Sequence, residues 1–262
     1  MLRALYTAAL GMSAQQQGVD NIANNLANAN TTGFKRTNLV FQDLLYENVQ
    51  SAGIEEGVDP ASTSSLQIGQ GAAAIASVKS FVQGSLNDTG NALDLAMNGD
   101  GFLQVKRPDG SIAYTRDGTL TMNADGLIVT QSGLVLEPEI QVPPEVAELR
   151  IAQDGQVFVR LQNEPNGFEL GQIELARFTN PAGLNPIGGN LYEQTDTSGE
   201  PFIGTPGQDG LGTIMQGYLE ASNVDVVQEM VNLITAQRAY EINSKMVTTS
   251  EQMLQIANQL KS

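Results

Sequence analysis

Two stretches, one at each end of the chain, constrain what it can fold into more than anything between them. In the first, Leu2, Leu5, Ala9, Met12, Gln16, Val19, Ala23 and Leu26 recur at alternating steps of three and four, and all but Gln16 are apolar. That spacing is the heptad seam of a helix that packs against other helices. A second stripe beside it, Ala4, Ala8, Gly11 and Gly18, is made only of small residues. Glycine costs about 1 kcal/mol against alanine inside a helix, so this stripe predicts room for another backbone to come close. Thr31-Thr32-Gly33 is expected to end the helix, with Gly33 in the left-handed conformation that glycine adopts without penalty.

The second stretch begins with Ser222 or Asn223 as the expected N-cap and Asp225 in the first turn, where an acid suits the helix dipole. No proline or glycine interrupts it from there to Leu260. Ile242, Met246, Thr249, Met253, Ile256 and Leu260 form one seam. Val226, Met230, Leu233, Tyr240, Val247 and Leu254 form another, displaced around the axis. One partner helix covers only one seam. Two seams therefore predict the N-terminal helix on one side and further copies of the chain on the rest.

Charge separates the ends from the middle. Residues 1–36 carry Arg3, Lys35 and Arg36 against Asp20, and residues 220–262 carry Arg238, Lys245 and Lys261 against five acids, so the two ends cancel. The whole formal charge of −16 lies in residues 37–219. Such a balance argues against nucleic acid as a partner, while near-neutral ends can crowd together. The chain has no Cys, His or Trp, which removes disulfides, thiolate chemistry and imidazole ligands or bases. No stretch approaches the roughly 20 apolar residues of a membrane span. The apolar seam runs through any point at which a signal peptide would be cut, so an exported chain is expected to leave uncleaved.

Between the ends the period changes. Leu39–Tyr46 is readable as helix or strand. Gly53, Gly57, Pro60 and the run Ala61-Ser62-Thr63-Ser64-Ser65 read as a long loop, and Leu66–Gly71 as a short strand. From about Ala72 to Pro206 short alternating runs lie between Asp-Gly or Ser-Gly pairs at 100–101, 109–110, 117–118, 125–126, 132–133 and 154–155. This is the pattern of an antiparallel β-meander. Further strands are expected at Leu149–Ile151, Gln156–Leu161 and Gln172–Phe178, and surface loop from Pro181 to Pro206. The expected fold is α+β: paired N- and C-terminal helices forming a coiled-coil element, with an inserted antiparallel all-β domain. The expected division is 1–36 plus 220–262 for the helical part, 37–75 for a connecting segment and 76–219 for the β domain.

None of the Asp-Gly segments has the alternating acids and closing Glu of a calcium loop, and Asn98–Phe102 opens no helix as a dinucleotide fingerprint would. No cofactor or metal is expected. Without His or Cys, a hydrolase would depend on paired carboxylates or a Ser–Lys arrangement, and most acids here sit in turns. Three classes remain: a structural polymer subunit, an extracellular binding module and a cell-wall hydrolase. The sticky helical ends favour the first.

Two motifs carry a resemblance. Asn21-Ile22-Ala23-Asn24-Asn25-Leu26-Ala27-Asn28-Ala29-Asn30-Thr31-Thr32-Gly33-Phe34-Lys35-Arg36 resembles the N-terminal signature of the bacterial flagellar rod and hook proteins. Glu229–Ile234 with Gln237–Lys245 resembles their C-terminal signature. Gly99–Phe102 and Ala113–Gly118 also fit that family, so the resemblance spans the chain. Phe41–Tyr46 and Leu66–Gly69 resemble its distal-rod members, with a proximal rod or hook subunit as the alternative. The resemblance implies a helical homopolymer, a drive shaft crossing periplasm and outer membrane. It implies as partners other copies, proximal rod proteins, hook protein, the surrounding peptidoglycan and outer-membrane ring proteins and the flagellar type III export apparatus. The residues it marks are Asn24, Asn25, Asn28, Thr32, Gly33 and Phe34. The polymer-packing set is Leu2, Leu5, Ala9, Met12, Val19, Ala23 and Leu26 on the first helix. On the second it is Met230, Leu233, Tyr240, Ile242, Met246, Met253, Ile256 and Leu260.

Overall fold

The structure, a computed structural model, describes residues 2–50, 66–144, 146–161 and 167–259. Leu260, the Leu2 side chain and the loop-like run 53–65 lie outside the described residues. The chain divides into two compact units: Met1–Ala27, Thr37–Val78 and Asp225–Ser262 make the first, Asn28–Arg36 and Lys79–Val224 the second.

The first unit holds α1 (Leu2–Ala27), β1 (Thr37–Asp43), β2 (Tyr46–Gln50), β3 (Leu66–Gly69), β4 (Ala72–Lys79) and the long C-terminal helix α2 (Val226–Gln259). α1 and α2 pack on each other. β1 pairs with β4, and β2 with β3, so Leu39–Tyr46 extends rather than continuing as helix. The N-cap of α2 is Asp225, not Ser222 or Asn223. Its Oδ1 accepts the N–H groups of Val227 (2.9 Å) and Gln228 (3.1 Å), two of the four orphan donors of the first turn.

Among the described residues the second unit is all β apart from one 3₁₀ turn at Pro181–Gly183. It holds β5 (Leu86–Asp88), β6 (Leu95–Asn98), β7 (Phe102–Lys106), β8 (Ile112–Thr115), β9 (Leu120–Met122), β10 (Ile128–Thr130), β11 (Val135–Glu137), β12 (Val146–Ile151) and β13 (Gln156–Leu161). β14 (Phe168–Gln172), β15 (Leu175–Arg177), β16 (Asn185–Gly188), β17 (Leu191–Glu193), β18 (Phe202–Gly204), β19 (Thr213–Gln216) and β20 (Tyr218–Glu220) follow. The largest sheet runs β16-β17-β8-β7-β11-β10-β9, with β15 joining β7 to β18. β12-β13-β14 forms a smaller antiparallel sheet, and β6–β19 and β5–β20 form ribbons. The core is apolar side chains from successive strands, among them Leu95, Leu103, Val105, Leu136, Val157, Ile173 and Ile214. Phe81, Phe102, Tyr114, Phe178 and Tyr192 make a second cluster, meeting edge to face at 4.8–6.0 Å between centroids.

Four of the six small-Gly pairs turn hairpins as expected, with φ of 81–84° at Gly110, Gly126, Gly133 and Gly155. The other two do not. Gly118 has no side chain because the Leu95 carbonyl occupies that space, and a Cβ at Gly101 would stand 3.1 Å from the Leu175 side chain. The segment 181–206 is not surface loop. It supplies β16, β17 and β18 to the main sheet, and Tyr192 is buried in the aromatic cluster. Gly188-Gly189 with Asn190, all at positive φ, is the tight turn between β16 and β17.

The units also differ from the expected division. Residues 28–36 belong with the β unit, and 37–78 with the helices. The physical reason is a set of bonds inside the β unit. The Gly33 N–H donates to the Glu220 carbonyl (2.8 Å), and the Lys35 ammonium to the Glu220 carboxylate (2.6 Å).

Candidate assembly surface

The two helices approach through their small residues. Ala8 and Ala14 of α1 and Ala236 and Ser250 of α2 are buried. A Cβ at Gly11 would lie 3.0 Å from the Asn243 side-chain nitrogen, whereas one at Gly18 would meet nothing within 4 Å. Gly11 is therefore the close approach that the small stripe predicts, and Gly18 is not.

With the small faces inward, the apolar residues expected to form packing seams are left wholly or partly outward. Met230, Ile234, Ile242, Met246, Met253 and Ile256 are 49–60 % exposed. Counted at 100° per residue they spread over roughly 160° of the circumference of α2, from Met230 round to Met246, and they span roughly 39 Å of helix. Tyr240 is exposed as well; Leu233, Val247 and Leu254 are half-buried. On α1, Leu5, Met12, Val19 and Leu26 are half-buried and Ala9 and Ala23 exposed. Burying half of a large apolar side chain yields about 1 kcal/mol. A run of exposed large apolar side chains of this length is the kind of surface that marks an interaction site.

The asparagine-rich motif has a local role. The Asn25 side chain is buried and acts like a strand edge. Its Nδ2 donates to the Thr37 carbonyl (2.9 Å) and its Oδ1 accepts the Thr37 N–H (3.0 Å), with Asn21 Nδ2 on the same carbonyl (2.8 Å). These amides dock the start of β1 on α1. Asn24 is exposed and Asn28 half-buried, where it accepts the Thr31 hydroxyl proton (3.1 Å). In the β unit, the Thr32 carbonyl accepts from the Asn190 side chain (3.0 Å), and Phe34 lies 5.0 Å beneath the Lys79 ammonium. Gly33 has φ +67°, and a Cβ there would stand 2.8 Å from the Arg116 backbone. It stands six residues past the end of α1, so the left-handed residue serves this approach rather than the helix end.

Sequence reading did not single out the charge cluster that this motif enters. Lys35 and Glu220 are fully buried and Arg116 is 2 % exposed. Glu220 Oε1 accepts from Lys35 and from the Gly84 N–H (2.9 Å), and Oε2 faces Arg116 Nη1 at 3.3 Å. Lys35 also donates to the Val82 carbonyl (2.9 Å), and Arg116 Nη2 to that of Gly99 (2.9 Å). Burial, and next the neighbouring Arg116, lower the Lys35 pKa from its ordinary value; the Glu220 charge and hydrogen bond oppose this. Asn223 adds a polar tie, accepting the Arg36 N–H (2.7 Å) and donating to the Ser80 and Val82 carbonyls (2.8 Å each). Lys35 and Arg116 stand inside motifs that drew attention, but nothing local in the sequence points from them to Glu220.

Among the described residues no group of acids could hold a metal ion, and no helix is long and apolar enough to cross a membrane. Paired terminal helices with an outward apolar side, carrying an inserted β unit, define a structural subunit. Comparison with known proteins gives the family. Residues 5–35 match the model for the flagella basal body rod protein, 96–159 that for the flagellar hook protein FlgE/F/G D1 domain, and 215–260 that for the flagellar basal body rod FlgEFG protein C-terminal region. The chain is 45 % identical to the flagellar basal-body rod protein FlgG of Buchnera aphidicola subsp. Schizaphis graminum, over 99 % of this chain and all of that one. It is 46 % identical to the protein of the same name from Borreliella burgdorferi, over 100 % and 99 %. With the flagellar basal-body rod protein FlgF of Caulobacter vibrioides it shares 35 % over 97 % and 95 %. The chain belongs to the flagellar basal-body rod protein family and is a structural component of that rod.

Proposed function

We propose that this chain is the distal-rod subunit, polymerising into a tubular shaft that transmits torque and encloses the export channel. The carrying observation is the outward apolar side of α2, six large side chains each about half exposed. In the polymer, neighbouring copies cover it. The packing set is Leu2, Leu5, Ala9, Met12, Val19, Ala23 and Leu26 with Met230, Leu233, Tyr240, Ile242, Met246, Met253, Ile256 and Leu260, joined by Ile234. The acidic middle of the chain faces outward and keeps the shaft from adhering to the rings around it. Proximal rod proteins and hook protein meet its two ends. The type III export apparatus delivers subunits across the envelope without a cleaved signal peptide, to a periplasmic and outer-membrane position. The role is mechanical, with no catalytic step.

Leu26→Glu and Ile256→Glu test this. Each puts a charge into the seam at a residue of the helical unit. The expected result is loss of filaments, by sedimentation and electron microscopy, with the thermal transition of the β unit unchanged. Filaments of normal length from both variants would overturn the assignment of the seam.

A further inference from the structure

The β unit carries a second surface with an unspent binding capacity. Among the described residues β18 bonds only to β15, so its other side is a sheet edge with backbone groups available for pairing. Phe202 and Ile203, successive residues of β18 on opposite faces, are 46 % and 44 % exposed. Beside this edge lies a cavity of about 390 Å³, walled by Phe81, Phe102, Phe178 and Phe202 and reached by Arg116 and Arg177, with the exposed Asp100 also lining it. The Arg177 guanidinium stands 5.9 Å from the Phe202 ring and makes a long 3.5 Å bond to the Gly210 carbonyl. Arg116 stands 5.5 Å from the Phe102 ring.

Arg116 makes the pocket more than an apolar recess. It shares one carboxylate, Glu220, with Lys35, so the buried cluster holds two cations and one anion. Its Nε–H is buried and has no acceptor among the described residues. A buried excess of positive charge favours an incoming anion, and a planar carboxylate is the shape that guanidinium groups bind best. Asp100 works against a doubly charged group and leaves one carboxylate on an apolar stem as the fitting occupant.

We propose that this pocket and the β18 edge together receive an extended acidic segment of a second copy of this chain. The segment adds as a strand to β18, and one Asp or Glu side chain enters between the phenylalanines toward Arg177 and Arg116. Strand addition takes its affinity from backbone bonds and its specificity from the pockets that alternate side chains enter. Charge complementarity identifies the partner. Residues 37–219 contain 23 acidic and seven basic side chains, so a neighbouring copy presents carboxylates, while two of those seven bases line this one cavity. The inference rests on the reading that the chain assembles with its own copies.

The chain has no cysteine, which makes a site-specific probe straightforward. Phe202→Cys in the full-length chain, labelled with a benzophenone maleimide, is polymerised, irradiated and digested for mass spectrometry. The expected product is an intermolecular adduct on a peptide containing Asp or Glu. Adding Arg177→Glu should abolish that adduct, and the milder Arg177→Gln should reduce it, while filaments still form through the helix seam. A melting curve of each variant verifies that the β unit is folded. Filaments without the adduct, an adduct on an acid-free peptide, or an adduct indifferent to Arg177 would each overturn the inference and leave the assembly reading standing. No filaments from the unmodified chain would refute the assembly reading and the inference with it.

Discussion

Glu220→Gln should be among the most damaging single substitutions in the β unit, although it changes one atom. Among the described residues the carboxylate is the sole acidic side chain bonded to both Lys35 and Arg116, and all three are buried. Glutamine keeps the shape but leaves two buried cations facing each other with no countercharge. Breaking a buried ion pair by removing one partner costs about 3–5 kcal/mol. For a unit of this size each kcal/mol lowers Tm by roughly 2–4 °C, so the β transition should fall by roughly 6–20 °C. Lys35→Met is the control. It leaves Arg116 and Glu220 as a neutral pair and relieves their excess positive charge, which offsets the loss of the Lys35 bonds to the Glu220 carboxylate and the Val82 carbonyl, about 1–3 kcal/mol each. Its net effect should be within about 1.5 kcal/mol. Calorimetry on the full chain, with the β transition resolved from the helices, measures both. Equal losses for the two variants, or a loss under about 1 kcal/mol for Glu220→Gln, would refute the reasoning that charge imbalance governs this cluster.

Three further outcomes are expected. Lys35 has a folded-state pKa below 10.5. Between that lowered value and 10.5 the unfolded chain holds the extra proton, so stability rises with pH across this window. The rise should disappear in Lys35→Met, and subtracting that variant's pH profile isolates it from Lys79, whose pKa burial also lowers. Gly11→Val should weaken the helix pair by about 1–3 kcal/mol through collision with Asn243, while Gly18→Ala should be neutral or gain up to about 1 kcal/mol. Denaturant titration of assembled material distinguishes them. In dilute monomer, amides of Leu5–Leu26 and Val226–Ile256 should exchange fast and those of β7 and β8 slowly, because about half the apolar side of α2 has no cover in one chain. Slow exchange across both helices would show that they fold without neighbours.

The sequence alone determined the classes of element. Periods of three and four without proline force helices at the ends, alternation between glycine turns forces antiparallel strands between them, and charge distribution sets near-neutral ends apart from an acidic middle. These are local properties of the chain, legible because each depends on residues within one or two turns. What only the tertiary structure decided depends on pairs far apart in sequence. The choice of which α1 stripe faces α2 went to the small residues, because Gly11 admits Asn243 and so leaves Leu5, Met12, Val19 and Leu26 only half-buried. Asp225 rather than Ser222 or Asn223 caps α2, because Asn223 is held by Arg36, Ser80 and Val82. The glycine-rich run after Pro181 became sheet, because β8 and β15 offered edges that no local signal announces. Lys35, Arg116 and Glu220 stand 81 and 104 positions apart along the chain, and a buried charge finds its partner by the fold's geometry, whatever the spacing in sequence.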